Sequence, residues 1–275
     1  MTTSQLLASS AETGNGAARY SLLVAGEEGE VRAAQRLRHQ VFAEELGAVL
    51  NSPEPGLDVD EFDAHCDHLV VRDDRTGQIV GTYRMLSPQG ARDAGGLYCE
   101  TEFDVPGLAG VRSGMVETGR SCVHAEHRTG AVVSLVWAGI ARYMLLTGYR
   151  WLVGCASVPL RTPGAPDGSF AAGVWQTVRS RHYAPEQYRV RPLQPWPPQS
   201  ASQPDAPAPP ASTPQAPMPR GAVLPPLLRG YLRLGAWVCG PPAHDPAFDV
   251  ADFLVLLCLD RIDARYLRHF LGEGA

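Results

Sequence analysis

Residues 115–124, Met-Val-Glu-Thr-Gly-Arg-Ser-Cys-Val-His, read as an apolar strand interrupted by two ionisable side chains, Glu117 and Arg120. Burying either charge is costly unless it is paired or used. A strand-end carboxylate can orient or deprotonate a nucleophile, and a guanidinium can hold an anionic group or the carboxylate itself. A structural ion pair is equally compatible with these residue types. Three positions apart, the two face opposite sides of a regular strand. Gly119 between them predicts a bulge, which changes that and turns backbone N–H groups outward.

A second candidate is the acidic loop Asp58-Val-Asp-Glu-Phe-Asp-Ala-His-Cys-Asp67. Asp58, Asp60 and Asp63 could capture an ammonium group or stand as a solvated turn. A calcium loop needs a mid-loop Gly and a terminal Glu, and both are missing. The pairs His65/His68 and His124/His127 have helix-face metal spacing but fall on loop or strand, and no third ligand is evident, so no metal is expected. His244-Asp-Pro-Ala-Phe-Asp249 matches the short H-x-x-x-x-D acyltransferase pattern, yet Asp-Pro reads as a turn before the next strand. Gly110, Gly114, Gly119 and Gly130 do not form a dinucleotide fingerprint.

These residues need elements to hold them. The strand at 115–124 is followed by an apolar helix, 131–147, and a second strand, 151–158, a parallel strand–helix–strand pattern with charge at a strand end. Upstream, 19–25 reads as a strand. Residues 27–46 read as an amphipathic helix, with Val31, Ala34, Leu37, Val41, Phe42 and Leu46 at three- and four-residue steps and acids in the first turn. Two β-rich runs, 68–72 and 78–86, flank Asp-Asp-Arg-Thr-Gly, a hairpin signature. Residues 87–114 read as irregular with one short helix, and 170–181 as a further helix. Segment 191–226 holds 13 of the 24 prolines and reads as a flexible loop. Beyond it, 227–237, the strand 253–259 and a last helix, 263–271, are apolar enough to complete the earlier sheet. The expected organisation is a disordered tail over 1–18 and one domain over 19–271, with 191–226 inserted in it.

Composition narrows the function. The chain is 44% hydrophobic with a formal net charge of -5, so no basic field invites nucleic acid. All 24 basic residues are Arg, which excludes Schiff-base, lysine-base and Walker-type chemistry. Six Cys without a C-x-x-C pair read as reduced core residues of a cytoplasmic protein. The N-terminus lacks the basic and apolar regions of a signal peptide. No apolar run approaches 18 residues, so no membrane span is expected.

Several segments in order resemble one family. Arg38-His-Gln-Val-Phe-Ala-Glu-Glu45, Leu57-Asp-Val-Asp-Glu-Phe-Asp63, Cys66-Asp-His-Leu-Val70, Val80-Gly-Thr-Tyr-Arg-Met85 and Glu117-Thr-Gly-Arg-Ser-Cys-Val123 look like the ornithine N-acyltransferases of ornithine-lipid synthesis, members of the GNAT superfamily. The resemblance continues through Leu135-Val-Trp137, Gly154-Cys-Ala-Ser157, Leu224-Pro-Pro-Leu227, Tyr231-Leu-Arg-Leu-Gly-Ala236 and Asp252-Phe-Leu-Val-Leu256, so it spans about 19–271 without the Pro-rich loop. A more distant similarity is to the acyl-homoserine-lactone synthases.

The resemblance implies an α/β (α+β) fold, a GNAT-like mixed central sheet flanked by helices. It implies transfer of a 3-hydroxyacyl chain from acyl carrier protein to the α-amine of ornithine, giving lyso-ornithine lipid, the first step of ornithine-lipid synthesis. No cofactor is implied beyond the donor's phosphopantetheine thioester, and peripheral contact with the inner face of the membrane is compatible with the product. The implied roles are Glu117 as proton acceptor and Arg120 as its orienter or the holder of the substrate carboxylate. Asp58, Asp60 and Asp63 would hold the ammonium end. Arg38 and Arg84 would take the substrate carboxylate or donor phosphate, Ser121 would lie in the substrate site, and the bulge N–H groups would receive the thioester oxygen. The acyl chain would lie between splayed strands near the helix of Leu135 and Leu145. Coenzyme A-dependent GNAT enzymes carry Q/R-x-x-G-x-G/A before the central helix to cradle pyrophosphate. Here 125–131, Ala-Glu-His-Arg-Thr-Gly-Ala, fails that spacing, as a carrier-protein donor would permit. The rival readings are a homoserine-lactone-type synthase using adenosylmethionine and a non-catalytic carrier-binding module.

Overall fold

A computed structural model describes residues 3–10, 19–164, 166–196 and 223–266. In chain order the elements are strands β1 (Gln5–Ser9) and β2 (Tyr20–Val24), helix α1 (Glu28–His39), strands β3 (Asp67–Asp73) and β4 (Ile79–Leu86), and helix α2 (Pro88–Asp93). Strands β5 (Phe103–Asp104) and β6 (Met115–Val123), helix α3 (Gly130–Thr147), strand β7 (Trp151–Pro159) and helix α4 (Ser169–Arg181) follow. The last are strand β8 (Arg191–Pro192), helix α5 (Pro226–Arg233) and strands β9 (Trp237–Val238), β10 (Ala243–Asp245) and β11 (Val250–Cys258). They group into two compact units, residues 1–97, 113–152 and 262–275 in one and 98–112 and 153–261 in the other.

In the first unit β1, β2, β3, β4 and β6 lie side by side in that order, each antiparallel to the next. The β3–β4 hairpin closes where the sequence places it. Gly77 takes φ +76, and the Asp73 carboxylate accepts from Arg75 N–H at 3.0 Å and Thr76 Oγ1 at 3.1 Å. Successive strand residues face opposite sides, and their partners sort accordingly. Leu23 and Val70 pack on Ala34 of α1. Their neighbours Leu22 and Val71 face α3. A Cβ on Gly139 would fall 2.4 Å from Leu22, and one on Gly81 would touch both Val71 and Val132. Helices α1 and α3 therefore cover opposite faces of this sheet. Since His68 opposes Arg84, Arg84 opposes Gly119 and Leu86 opposes Glu117, those three ionisable residues share the α1 face.

Three expectations change. Residues 5–9, placed in a disordered tail, form β1, which pairs with β2; 11–18 lie outside the described residues. The amphipathic helix of 27–46 divides into α1 and a π-helical turn, Gln40–Glu45. Helix α3 has 18 residues and enough apolar content to cross a bilayer, against the expectation that no run is so long. Val132, Leu135, Ile140 and Met144 are buried, so one side of it packs as a sheet-covering helix.

In the second unit the apolar run predicted over 253–259 begins three residues earlier as β11, which lies between β7 and β10 in strand order and also pairs with β9. Phe253, Leu254 and Leu256 of β11 are fully buried. The turn expected at Asp-Pro is present, with Asp245 accepting from Ala247 N–H at 2.8 Å. The final helix, in the 262–275 segment of the first unit, begins at Ala264, one residue later than expected, and 267–275 lie outside the described residues, as does most of the Pro-rich loop.

Candidate active site

The acidic loop folds back over the α1 face of the first sheet because its own side chains cap it. Phe62 N–H donates to Asp60 Oδ1 at 3.0 Å, and Asp60 N–H donates to Asp63 Oδ2 at 2.9 Å. Leu57 and Phe62 are buried and anchor the loop, and Asp58 N–H donates to the Gln35 carbonyl of α1 at 3.1 Å. The three aspartates thereby meet three arginines from three different elements.

Arg38, at the end of α1, is 0% exposed. It forks onto Asp63 through Nη1 (2.8 Å) and Nη2 (2.7 Å), and its Nε donates to Asp58 Oδ2 at 2.9 Å. Nη2 also donates to the Asp58 carbonyl. Arg84 of β4 donates to Asp60 at 2.5 Å, stands 3.5 Å from Asp63, and lies over the Phe62 ring. Arg120 reaches Asp60 through Nη2 at 3.1 Å and stands 3.2 Å from Asp58 through Nε. Three cations against three anions balance, which is the condition for burying such a cluster. The side chains of Arg38, Asp58, Asp63 and Arg84 are at most 4% exposed, whereas Asp60 and Arg120 are 18% and 14% exposed. Asp60 and Arg120 form the open edge of the lattice.

The predicted bulge is present. Register slips so that Arg120 and Ser121 together oppose Tyr83, and Arg120 takes φ +51. That conformation costs a non-Gly residue ~1 kcal/mol and persists only where surroundings over-determine it. Here the contacts to Asp58 and Asp60 do so. The bulge brings Arg120 to the α1 side, the side on which Glu117, 4% exposed, also lies. Half-buried Ser121 shares the bulge. Glu117, Asp60, Asp63 and Arg84 all act electrostatically on the Cys66 thiol. Burial, the largest influence, pushes that thiol to about 12, so it stays protonated at neutral pH and is no nucleophile.

Burial alone would raise the Asp63 carboxyl. The Arg38 hydrogen bonds and charge, with Arg84 and Asp60 N–H, overcome this and hold it at about 2. Burial also lowers the His68 imidazole, partly opposed by Asp63, so His68 is neutral. His68 Nε2 lies 3.0 Å from the Asp63 carbonyl, and this residue braces the loop. Sequence spacing singles out His68 only as half of a metal pair; the usable signal is its alternation with Val70 on the buried face of β3. Its partner in that pair, His65, is half-buried. His124 and His127 do gain a third potential ligand, Glu126, against expectation, all within 4.8 Å. Both rings already serve the turn, His124 Nδ1 accepting from Glu126 N–H at 3.3 Å and His127 Nδ1 lying 2.9 Å from Tyr20 Oη.

Before α3 the chain makes a 3-10 turn, Ala125–His127, and Arg128 is forked onto Glu45 at 2.5 and 2.6 Å.

Residues 37–138 match the profile of the Acetyltransferase (GNAT) domain, a span that includes the whole lattice from Arg38 to Arg120. The L-ornithine N(alpha)-acyltransferase of Rhizobium meliloti (strain 1021) is 37% identical over 261 residues, 89% of this chain and 82% of that protein. The L-ornithine N(alpha)-acyltransferase of Agrobacterium fabrum is 35% identical over 270 residues, 91% of this chain and 85% of that one. Among solved structures, the AHL synthase LasI superposes with a TM-score of 0.51 at 14% identity, covering 93% of this chain and 96% of its own. The CoA-dependent acyl-homoserine lactone synthase BjaI, with SAM and isopentyl-CoA, gives 0.50 at 16% identity, covering 90% and 84%. At such identities the likeness is one of fold, and it bears out the expected GNAT-like α/β architecture. Relatives above 30% identity that align with most of both chains decide the family: this protein belongs to the L-ornithine N(alpha)-acyltransferases.

Proposed function

We propose that the protein moves a 3-hydroxyacyl chain from acyl carrier protein to the α-amine of L-ornithine, the reaction that begins ornithine-lipid synthesis. The observation that carries this reading is the neutral lattice of three aspartates and three arginines, set on the face of the sheet that bears buried Glu117, in a chain of this family. Ornithine is a zwitterion with a second cation on its side chain. The open edge of the lattice offers one group of each sign. Asp60 receives an ammonium and Arg120 the carboxylate, while Arg38, Asp58, Asp63 and Arg84 hold those two in place.

The α-ammonium must lose a proton before its nitrogen lone pair attacks the thioester carbon. Glu117 takes that proton, directly or through water. The C–N bond forms, the carbonyl oxygen becomes an oxyanion received by backbone N–H groups of the Arg120–Ser121 bulge, and the C–S bond then breaks. The phosphopantetheine sulfur leaves as the thiol with the proton held by Glu117, the nitrogen gives up its second proton to water as the C–N bond becomes an amide, and the products are that amide, free carrier protein and one released proton. A carrier-protein donor needs no pyrophosphate cradle, in keeping with the turn and the Arg128–Glu45 pair that precede α3.

Purified protein with 3-hydroxyacyl carrier protein and ornithine should release thiol and yield N-acylornithine, and Glu117→Gln should abolish this with circular dichroism unchanged. Full activity in that variant removes Glu117 from the mechanism. Turnover with adenosylmethionine in place of ornithine, or with acyl-coenzyme A alone, would replace the proposed acceptor or donor.

A further inference from the structure

Helix α3 is apolar for most of its length, yet only 39% of it is buried. The exposed residues lie at its two ends, 130, 131, 133 and 134 at one and 145–147 at the other, and a half-buried line joins them. Val133 (46% exposed), half-buried Trp137 and Ala141, and Leu145 (53%) recur at four-residue steps, with Leu146 (67%) beside the end of the stripe. A helix that is hydrophobic all round belongs in a core or against lipid. Charge is distributed to match. Residues 127–152 contain no Asp or Glu in a chain with 29 of them, and their charged residues are Arg142, Arg150 and Arg128, the last forked onto Glu45. Strand β1, Gln-Leu-Leu-Ala-Ser, adds no charge and lies beside α3, because Arg142 Nη1 donates to the Leu7 carbonyl.

We propose that the outward stripe of α3 is the surface on which the protein rests on an anionic phospholipid bilayer, its apolar side chains in the interface and exposed Arg150 at headgroup level. The inference rests on the reading of the reaction given above, whose product, an amide bearing a fatty chain and a charged head, belongs in a membrane. An acidic protein partner fits less well. Arg142, the only Arg within the helix, is turned to the Leu7 carbonyl, so the stripe itself offers hydrocarbon rather than ions.

The test is flotation of the full chain with vesicles of phosphatidylcholine containing a quarter phosphatidylglycerol. Val133→Glu/Leu145→Glu should lower the bound fraction about tenfold or more, and Leu145→Trp should raise it, since each large apolar side chain contributes that order of affinity. Val49→Glu, at a residue 76% exposed in a loop, should leave flotation unchanged. All variants should keep the circular dichroism spectrum of the wild type. Wild-type flotation by the double variant, or equal loss in Val49→Glu, overturns the proposal. So does vesicle-independent self-association that the double variant abolishes, which assigns the stripe to a second copy. Absence of ornithine acylation by the wild type sinks the functional reading instead and leaves the flotation result to stand alone.

Discussion

Among the lattice residues, burial separates two kinds of aspartate that sequence alone treats alike. Asp63 serves the fully buried Arg38, whereas Asp60 lies on the open edge beside Arg120. Removing the first charge leaves a buried guanidinium uncompensated, a loss of ~3–5 kcal/mol. Removing the second leaves Arg120, which keeps solvent access, and buried Arg84, which keeps Asp63 3.5 Å away. Asp63→Asn should therefore lower the unfolding free energy by that amount, while Asp60→Asn should lower it by less, since Arg84 keeps Asp63 and Arg120 keeps water, and raise KM for ornithine at least tenfold. Urea unfolding and steady-state kinetics on both variants check this, and equal stability losses would end the division of labour. The types and order of these residues were legible from the chain, Asp58, Asp60, Asp63, Arg38, Arg84, Glu117 and Arg120 among them. Their pairing was not, because Asp60 and Arg120 are 60 positions apart and no local rule links them. The ammonium site expected of all three aspartates narrows, in the proposal, to the one that keeps solvent access.

Each element contributes its part of the site through features of different visibility. The β6 bulge was legible, since a Gly between two charges in an apolar strand has few other uses. The π-helical turn after α1 was not, because its residues keep the three- and four-residue spacing of an ordinary helix. Helix α2 is the short helix expected somewhere within 87–114, and it sets the position of the acidic loop. Ser87 caps it by accepting from Gly90 N–H at 3.1 Å, and Pro88 begins it. Gly90 itself is pressed against the turn that carries Asp63: a Cβ there would lie 2.2 Å from the His65 carbonyl oxygen. Helix propensity favours Ala over Gly by about 1 kcal/mol. Backbone cannot yield as a side chain can, so the clash decides the sign. Gly90→Ala should destabilise the protein by ~1–3 kcal/mol and lower kcat/KM by shifting Asp60 and Asp63. A stabilised, fully active Gly90→Ala protein would show that α2 does not hold the loop.

For the molecule as a whole, two carboxyls, one in each compact unit, shape how stability depends on pH. Asp63 is held at about 2 against its ordinary 3.8, so its stabilisation is complete above 3.8 and is lost as pH falls toward 2. Glu102 of the second unit has the opposite sign. Burial first, then the charges of Asp252 and Asp245, raise its carboxyl far above the ordinary 4.5, and the three carboxyls lie within 4.8 Å of one another. Folding favours its protonated form, so this contribution is complete below 4.5 and declines as pH rises, at roughly 1.4 kcal/mol per unit until Glu102 ionises in the folded state. Nothing in the sequence announces this group, because Glu102, Asp245 and Asp252 come together only when the 98–112 segment joins the later strands in one unit. Of these two carboxyls Asp63 favours the fold above 3.8 and Glu102 below 4.5, while His68, held neutral by burial, adds stability that is lost as pH falls below its ordinary 6.5. Glu102→Gln keeps the neutral hydrogen-bonding shape and removes the titration. Its melting temperature should exceed that of the wild type at pH 8 and nearly match it at pH 4.5, with the gap widening steadily between them. A constant difference across that range would mean that Glu102 ionises in the folded protein as it does in water, and that the two neighbouring aspartates do not share its site.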